Sequence, residues 1–415
     1  MSQVTSLEYL ESIENSLSGT IPVGWQKLTA LRTVVIAFNQ LTGTIPSWAP
    51  QSWPDMEFLY LSNNDLTGSI PEEFSEFQKL SVLALDDNIL TGKTDAIWNS
   101  MRSLEYLYLE DNDFTGTLPN LVAESNSALV ILDISSNRFT GSLPDDIFEL
   151  NRLEVLDLHD NRFDSSIPKD IPEDNHSLKF LALHKNILVG TIPSAISNLK
   201  RLSHLDLTRN SLTGTIPNEL ERLSSTLTYL FLGSNDYQEG PIPSFVYALT
   251  NLKELSLKSS KRKGTISGII GMLDSMLVLD LDDNHLTGSI PNEVGMMTDL
   301  QYLLLNRNLL TSSVPGAELA KLKDLRFLLL DNNHLFGDLN PICTLDFLTS
   351  VYVDCGEISC LEGCCSCCLD GKPCHDSLLI SSHDTVWESD YTRQFFDFDS
   401  QGETFYSNRD DDYWK

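Results

Sequence analysis

Positively charged residues are scarce in this chain of 415 residues. Lysine and arginine number 28 against 59 aspartates and glutamates, which gives a formal net charge of -31. A nucleic acid or an anionic membrane surface would repel such a body, so we expect neither as a partner. Cations and basic protein surfaces are the partners that this composition favours.

Long apolar runs, an N-terminal leader and catalytic motifs are also missing. No run of 18 or more apolar residues occurs, so no segment is expected to span a bilayer. The first residues lack a leader and already carry repeat spacing, so we expect a signal or anchor and an N-terminal cap in a missing upstream region. Serine-hydrolase, zinc-protease, phosphate-loop and kinase motifs are absent, so we expect a non-enzymatic protein without a cofactor.

The sequence instead repeats one skeleton every 24 or 25 residues. Its clearest copy, Leu202 to Pro217, reads L-x-x-L-x-L-x-x-N-x-L-x-G-x-I-P, with variable letters written as x. This period is typical of a leucine-rich-repeat solenoid. Repeats 1 to 14 are marked by the residue at position 9 of the skeleton: Asn15, Asn39, Asn64, Asn88, Asn112, Asn137, Asn161, Asn186, Asn210, Asn235, Ser260, Asn284, Asn308 and Asn333.

Each repeat predicts a short strand, a buried turn and a brief helix, and hence an α/β solenoid. The leucines of L-x-L should point inward, and successive strands should stack in parallel about 4.8 Å apart. The buried Asn should bond to neighbouring backbone, because an unsatisfied polar group costs roughly 1 to 3 kcal/mol. Acidic segments after prolines such as Pro71 and Pro144 predict brief helices on the convex side.

The skeleton resembles the plant-type leucine-rich repeat, both at Leu202 to Pro217 and in near copies from Leu104 to Pro119 and from Met276 to Pro291. The segment from Ile342 to Cys368 resembles the C-terminal cap of leucine-rich-repeat proteins from diatoms and related algae. The resemblance implies an extracellular or cell-surface recognition protein, either soluble or tethered to a membrane. It does not imply a particular ligand.

Three regions follow from this reading. We expect a plant-type superhelix with a parallel concave sheet over residues 1–342 and a disulfide-rich C-terminal cap over residues 343–376. An acidic, aromatic tail then covers residues 377–415. Because Asp and Glu favour disorder while Trp and Phe favour docking, we expect partial order in this tail.

Side chains at position 5 of the skeleton should form a column on the concave sheet, because side chains alternate along a strand. The column runs through an aromatic zone, an acidic zone and a mixed zone. The residues that we predict to bind a ligand there are Tyr60, Tyr108, Asp133, Asp157, Asp206 and Phe231. Tyrosines are frequent in interface hot spots. The alternative is that such rings only lean on neighbouring strands, as expected for Phe58 and Tyr106 at position 3.

Asp133 and Asp157 should lie on adjacent strands roughly 5 Å apart. Two like charges at that distance repel by about 0.8 kcal/mol in water and about 3 kcal/mol at an effective dielectric of 20, so a basic ligand group would relieve them. His159 and His184 should be neighbours at position 7, which allows ligand binding through a weak divalent-metal or pH-responsive site. The simpler alternative is a solvated acidic face without metal, which is our prediction.

All eight cysteines lie near the C-terminal end: Cys343, Cys355, Cys360, Cys364, Cys365, Cys367, Cys368 and Cys374. A dense cluster that closes an extracellular solenoid favours four disulfides. The alternative is zinc, because the cluster contains overlapping C-x-x-C pairs with His375 nearby. Asn175 heads the single N-x-S/T sequon and is a predicted glycosylation site.

Repeat 11 departs from the skeleton, with Ser260 in the ladder slot and a basic group around it: Lys253, Lys258, Lys261, Arg262 and Lys263. Drift in a tolerant repeat explains these residues. The alternative is a patch for an acidic partner or for a second copy of the protein.

Three functions remain compatible with the sequence. The first is recognition of a protein, peptide or glycan ligand with basic groups on the concave face. The second is a structural, adhesive or ice-binding protein that uses a row of flank threonines: Thr42, Thr67, Thr115, Thr140, Thr213 and Thr287. The third is an inhibitor of secreted hydrolases.

Overall fold

The computed structural model describes residues 5–98, 102–121, 128–173, 177–354, 356–361 and 363–368. The predicted sites Asn175, Cys355 and Cys374, the side chain of Cys367 and the tail 377–415 lie outside these residues. No helix in the described part of the chain is long and apolar enough to cross a membrane.

The concave face is one parallel sheet of 16 strands that follow each other in chain order. The strands are Tyr9–Glu11, Thr33–Val35, Phe58–Tyr60, Val82–Ala84, Tyr106–Tyr108, Ile131–Asp133, Val155–Asp157, Phe180–Ala182, His204–Asp206, Tyr229–Phe231, Glu254–Ser256, Val278–Asp280, Tyr302–Leu304, Phe327–Leu329, Ser350–Asp354 and Ser366–Cys368. Fourteen of these are the predicted L-x-L strands, so the α/β solenoid is confirmed.

The ladder asparagines bond to the backbone of their own repeat and of the preceding repeat, as expected. In repeat 6 the Nδ2 of Asn137 donates to the carbonyls of Leu109, Ile134 and Ser135 at 2.9, 3.3 and 2.9 Å. Its Oδ1 accepts from the backbone N–H of Phe114 at 2.9 Å. One side chain therefore satisfies several buried backbone groups and ties its repeat to the preceding one.

A second, shorter set of parallel strands forms the flank of the solenoid. These strands are Ser18–Gly19, Gln40–Thr44, Asp65–Gly68, Ile89–Gly92, Asp113–Gly116, Arg138–Gly141 and Arg162–Phe163, then Val189–Thr191 and Ser211–Thr213, then Lys263–Thr265, His285–Gly288, Leu309–Ser313, His334–Asp338 and Ile358–Ser359. Gly68 shows why the skeleton needs glycine, since it has a φ of +82° and a Cβ there would lie 2.9 Å from Thr44 Cγ2.

Among the described residues, short helices close twelve of the fourteen repeats, and most are 3₁₀ helices. They span Val23–Lys27, Glu72–Glu76, Ile147–Glu149, Ser194–Asn198, Asn218–Leu223, Ser244–Ala248, Gly268–Met272, Asn292–Met296 and Asn340–Thr344. Single α-helical turns span Ala49–Ser52, Asp95–Trp98 and Gly316–Leu319. Only three to six residues are available in each 3₁₀ helix, and this tighter geometry suits such short pieces.

The core is one continuous apolar cluster that runs from Ile21 to Ile358. Large side chains such as Phe114 and Phe139 have no exposed surface. Each repeat covers its neighbour, so no repeat holds a core of its own.

The C-terminal end extends the concave sheet by two strands. Ser350–Asp354 is the predicted last strand, with Val351 and Val353 buried. Ser366–Cys368 was not predicted. Asp354 ends the ladder in place of an asparagine, because its carboxylate accepts from the backbone N–H groups of Asn332 and Asn333 at 2.7 and 3.0 Å.

Disulfides join Cys343 to Cys364 and Cys360 to Cys365, and Cys368 is also disulfide-bonded. Among the described residues, the thiol sulfurs of Cys343, Cys360 and Cys364 form the one group close enough to hold a metal. In this structure those three sulfurs are in disulfides, which leaves none of them as a thiolate for zinc.

Repeat 11 replaces the ladder asparagine with Ser260 and Arg262. Arg262 is only 4% exposed and donates to the carbonyls of Ser260, Pro241 and Gln238 at 2.8, 3.3 and 2.6 Å. Lys261 and Lys263 pair with the acidic residues Asp236 and Glu239 of repeat 10. The interpretation of these residues as a basic patch for an acidic partner is therefore wrong for Arg262, which is structural.

Candidate functional site on the concave sheet

The predicted column exists, because the strand register aligns position 5 in every repeat. Tyr60 pairs through Ala84 with Tyr108, which aligns with Asp133 and Asp157. The register continues through Ala182 to Asp206 and Phe231. Six predicted site residues therefore lie in one line across the concave face.

The aromatic zone packs against its own sheet. Tyr60 is 9% exposed and belongs to a small apolar cluster with Val35 and Ala84. Tyr108 is half-buried and packs against the same cluster, as do Phe58 and Tyr106. Burial raises the pKa of the Tyr108 hydroxyl well above its usual value. The zone offers an apolar floor around Tyr60 with the partly exposed rings of Phe58, Tyr106 and Tyr108 packed against it.

Next to this zone lies a row of carboxyl groups, the first acidic zone, made of Asp86, Glu110, Asp133 and Asp157. Asp133 and Asp157 are 1% and 0% exposed, so the interpretation of a solvated face with splayed side chains is wrong for both. Asp86 and Glu110 lie at position 7 of repeats 4 and 5 and were not predicted. Their signal was two acids in adjacent repeats at that position.

Hydrogen bonds satisfy only part of the first acidic zone. Asp133 Oδ1 accepts from Ser135 Oγ and backbone N–H at 2.7 and 3.0 Å, and Ser62 Oγ donates to Asp86. Asp157 Oδ2 and Glu110 Oε2 are buried without a hydrogen-bond partner. No lysine or arginine of the described residues forms an ion pair with these four groups. The zone therefore holds acceptors that the protein itself leaves unused.

Burial changes the charge of this row. Burial is the main factor that raises the pKa of Asp86 to about 7. Burial, together with the Asp157 carboxylate, raises the pKa of Asp133 to about 8. The pKa of Glu110 is raised well above its usual range, by burial first and by Asp133 and Asp86 next. At neutral pH the row therefore holds protons, since neighbouring buried carboxylates disfavour full ionisation.

His159 and His184 form a stacked pair next to the first acidic zone. Their ring centroids lie 4.3 Å apart with 7° between the planes. Nδ1 of His159 lies 2.7 Å from Asp157 Oδ1, whereas Nδ1 of His184 lies 3.2 Å from Asp206 Oδ2 without hydrogen-bond alignment. The predicted neighbours are therefore adjacent.

The two rings differ in charge. Burial disfavours the charge of His159, but the Asp157 carboxylate outweighs it and raises the pKa to about 9. Burial lowers the pKa of His184 well below its usual range, and the charge of His159 adds to this. We therefore expect one charged and one neutral ring at neutral pH. Their ligand atoms and those of the neighbouring acids do not converge into a metal-binding group.

The far end of the column is largely buried. Asp206 is 5% exposed, and its Oδ1 accepts from Thr208 N–H and Oγ1 at 2.8 and 2.7 Å. Phe231 is 5% exposed, and its ring centroid lies 5.7 Å from that of His204. His204 in turn stacks on Phe180 with a centroid distance of 4.2 Å. These residues shape the face rather than project from it.

A second acidic zone, made of Asp280 and Asp282, lies in repeat 12 and was not predicted. Asp280 Oδ2 accepts from Ser256 Oγ at 2.9 Å. Asp282 accepts from Nε of Arg307 at 2.8 Å and also from its Nη2, which forms a two-point pair. Burial raises the pKa of Asp280 to about 6, and the charge of Lys258 opposes this shift.

Four of the six predicted flank threonines bond to the backbone of the preceding repeat. The Oγ1 atoms of Thr67, Thr115, Thr140 and Thr213 donate to glycine carbonyls of the preceding repeat at 3.2, 3.2, 3.3 and 3.0 Å. These bonds explain the repeated threonine without a ligand.

A stacked parallel solenoid with a variable concave face defines a repeat protein whose common use is binding. Family models described as "Leucine rich repeat" match residues 102–163 and residues 55–77, 201–223 and 275–297. A leucine-rich-repeat protein of Leptospira interrogans has a similar structure, with 30% identity, a TM-score of 0.63 and coverage of 80% of this chain and 86% of that chain. The chain belongs to the leucine-rich-repeat family and is of the plant type.

Plant receptors are also similar to this chain. A structure described as the plant peptide hormone receptor RGFR1 in complex with RGF2 matches at 28% identity with a TM-score of 0.73, covering 86% of this chain and 64% of that chain. Protein STRUBBELIG-RECEPTOR FAMILY 1 of Arabidopsis thaliana is 35% identical over 80 residues, which are 19% of this chain. The match spans only 10% of the length of that receptor.

Proposed function

We propose that this chain is a non-enzymatic recognition protein of the cell surface or the extracellular space, which binds a peptide or an exposed protein segment on its concave face. Similarity to the plant peptide hormone receptor RGFR1 supports this function. The sequence carries no catalytic motif, and among the described residues the buried polar atoms without a hydrogen-bond partner include Glu110 Oε2 and Asp157 Oδ2 of the first acidic zone.

The observation that carries the proposal is the order of the column. An apolar floor around Tyr60 and Tyr108 adjoins the first acidic zone, and the pair of His159 and His184 follows. In the described residues, Asp157 Oδ2 and Glu110 Oε2 are buried without a hydrogen-bond partner. Buried acceptors of this kind are costly unless something bonds to them, and a ligand would supply that bond.

Each part of the column has a role in this proposal. Tyr108 supplies apolar contact and a ring edge, above the floor that Tyr60 helps to form. Asp133 and Asp157 supply carboxyl acceptors for a ligand with basic groups, and a bound cation would favour the charged form of Asp133. His159 and His184, together with Asp206 and Phe231, set the shape and the local charge at the far end of the contact.

A peptide-display selection tests the proposal. Peptides selected on the wild-type protein should lose at least tenfold in affinity for Tyr108→Ser, because the half-buried ring lies at the centre of the contact. The matched control is Tyr302→Ser, which removes another half-buried tyrosine from the concave sheet in repeat 13. Selection of no peptide, or equal loss in both variants, would contradict a site at this column.

A further inference from the structure

Glu110 and Asp282 occupy the same template position in different halves of the solenoid. Both lie at position 7, in repeats 5 and 12. In repeat 12 the cation is supplied by the next repeat, because Arg307 at position 8 pairs with both oxygens of Asp282. The Arg307–Asp282 pair therefore shows that an acid at position 7 can bind a guanidinium.

Ser136 occupies the same position relative to Glu110 that Arg307 occupies relative to Asp282, since each lies at position 8 of the following repeat. The backbone N–H of Asn112 donates to the Ser136 carbonyl at 3.3 Å, and that of Asn284 donates to the Arg307 carbonyl at 3.1 Å. Ser136 and Arg307 also share a left-handed conformation, with φ values of 48° and 53°. The two settings share this backbone arrangement, but Glu110 lacks the cation, and its side chain is one methylene longer than that of Asp282.

We propose that Glu110 binds the guanidinium of an arginine side chain from the ligand, in the place that Arg307 takes on Asp282. This inference rests on the proposed recognition function and names the group that the first acidic zone selects. An independent observation supports it, because Glu110 Oε2 is buried without a hydrogen-bond partner. A fixed fork of N–H donors suits carboxylates better than an ammonium does.

Binding should release a proton. Four ionisable groups interact with Glu110: Asp86 on repeat 4, Tyr108 and Asp111 on its own repeat, and Asp133 on repeat 6. His159 on repeat 7 acts on Asp133. Because the three aspartates and burial keep Glu110 protonated, the arriving guanidinium replaces its proton, which passes to solvent. Affinity should therefore rise with pH.

An arginine introduced at position 136 tests this site on Glu110 without knowledge of the ligand. Ser136→Arg should place a guanidinium on Glu110, whereas Ser136→Gln is the uncharged control. We expect the folded-to-unfolded ratio of the arginine variant to exceed that of the control about tenfold at about pH 8.5 and to match it at about pH 5. Arginine is tolerated at this template position, since Arg209 and Arg307 occupy it. No difference, or the same difference at both pH values, would overturn the inference.

Capped peptides test the ligand side of the proposal. We would titrate acetyl-Tyr-Arg-Tyr-amide and its citrulline counterpart, which keeps the shape of arginine without the charge. Calorimetry at neutral pH, in buffers that differ in ionisation enthalpy, should show at least tenfold tighter binding of the arginine peptide and release of about one proton. Glu110→Gln and Ser136→Arg should abolish the preference. Equal binding of both peptides, or no saturation at millimolar concentration, would overturn the inference.

The two proposals fail differently. If displayed peptides depend on Tyr108 but bind equally well with citrulline in place of arginine, recognition stands and the guanidinium assignment is wrong. If the grafted arginine stabilises the fold as expected but selection yields no peptide, the slot is real and the recognition function is wrong.

Discussion

The two acidic zones of the concave sheet have similar backbones, but they accommodate their buried carboxyl groups in different ways. In the second zone the buried carboxylate of Asp282, whose side chain is 6% exposed, is paired by Arg307. In the first zone Asp111 and Ser136 occupy the positions that correspond to Arg307, next to Asp86 and Glu110. One zone is neutralised by the chain and the other holds protons in place of a cation.

This difference teaches where information lies in a repeat protein. The residues that recur in every repeat determine its backbone conformation. Whether an acid on the concave face is paired therefore depends on one side chain in the next repeat. An acid at position 7 is structural when position 8 of the following repeat supplies a cation. On the function proposed above, it is available for recognition when that position is serine or aspartate.

Removal of the cation from the second zone should have the largest effect. Arg307→Gln leaves Asp282 buried without its partner, so we expect a loss of about 1–2 kcal/mol in the free energy of unfolding at neutral pH. This value is reduced from the fully buried case because the Arg307 side chain is 40% exposed. The loss should shrink near pH 4, where the carboxyl takes up a proton. Denaturant unfolding at both pH values measures it, and a loss independent of pH would point to packing instead.

A smaller effect of opposite sign is expected in the first zone. The pKa of Asp133 is about 8 when folded, against a usual value near 3.8, so its stability contribution is complete below about pH 4 and is lost as pH rises through 8. Asp133→Asn keeps the acceptor for Ser135 and removes this loss. We expect a gain of about 1 kcal/mol over wild type at pH 8 and none at pH 4, measured by denaturant unfolding.

The control for this gain is Asp65→Asn, which removes an exposed acid on the flank. It should change stability equally at both pH values. If the free energy of unfolding rose equally in both variants at pH 8, relief of the overall negative charge would explain the result. Burial of Asp133 would then not be its cause.

The smallest effect is expected for an exposed pair in the neutralised half. Lys261 pairs with Asp236, and their side chains are 46% and 68% exposed. Because water screens such pairs, Lys261→Gln should change the free energy of unfolding by less than about 0.5 kcal/mol. Thermal unfolding at low and high salt measures the change. A loss as large as that of Arg307→Gln would mean that burial does not separate these pairs.

Much of the fold could be predicted, because each repeat has the same spacing of apolar residues and asparagine. The strands, the asparagine ladder and the alignment of Asp133 with Asp157 all follow from the spacing of Leu and Asn. The period of side-chain alternation places position 5 on the concave face wherever the skeleton is intact. These features depend on near neighbours in a regular array.

The remaining features depend on contacts between particular side chains in different repeats. Asp157 is 0% exposed and lies in hydrogen-bond contact with His159, and the sequence does not show how deeply a concave side chain lies. Arg262 reads as a surface cation but lies inside the turn, where it replaces a missing amide by donating to three carbonyls. The register could be predicted, whereas the depth and pairing of polar groups could not.

The most direct test of the central claim is the titration of Glu110 itself. Carboxyl carbon NMR of protein labelled at glutamate, with Glu110→Gln to assign the signal, follows its protonation in wild type and in Ser136→Arg. If the first acidic zone is an unpaired guanidinium slot, Glu110 in wild type titrates well above the usual glutamate range, and the grafted arginine moves its pKa downward. A Glu110 that titrates near 4.5 in both proteins would contradict the account.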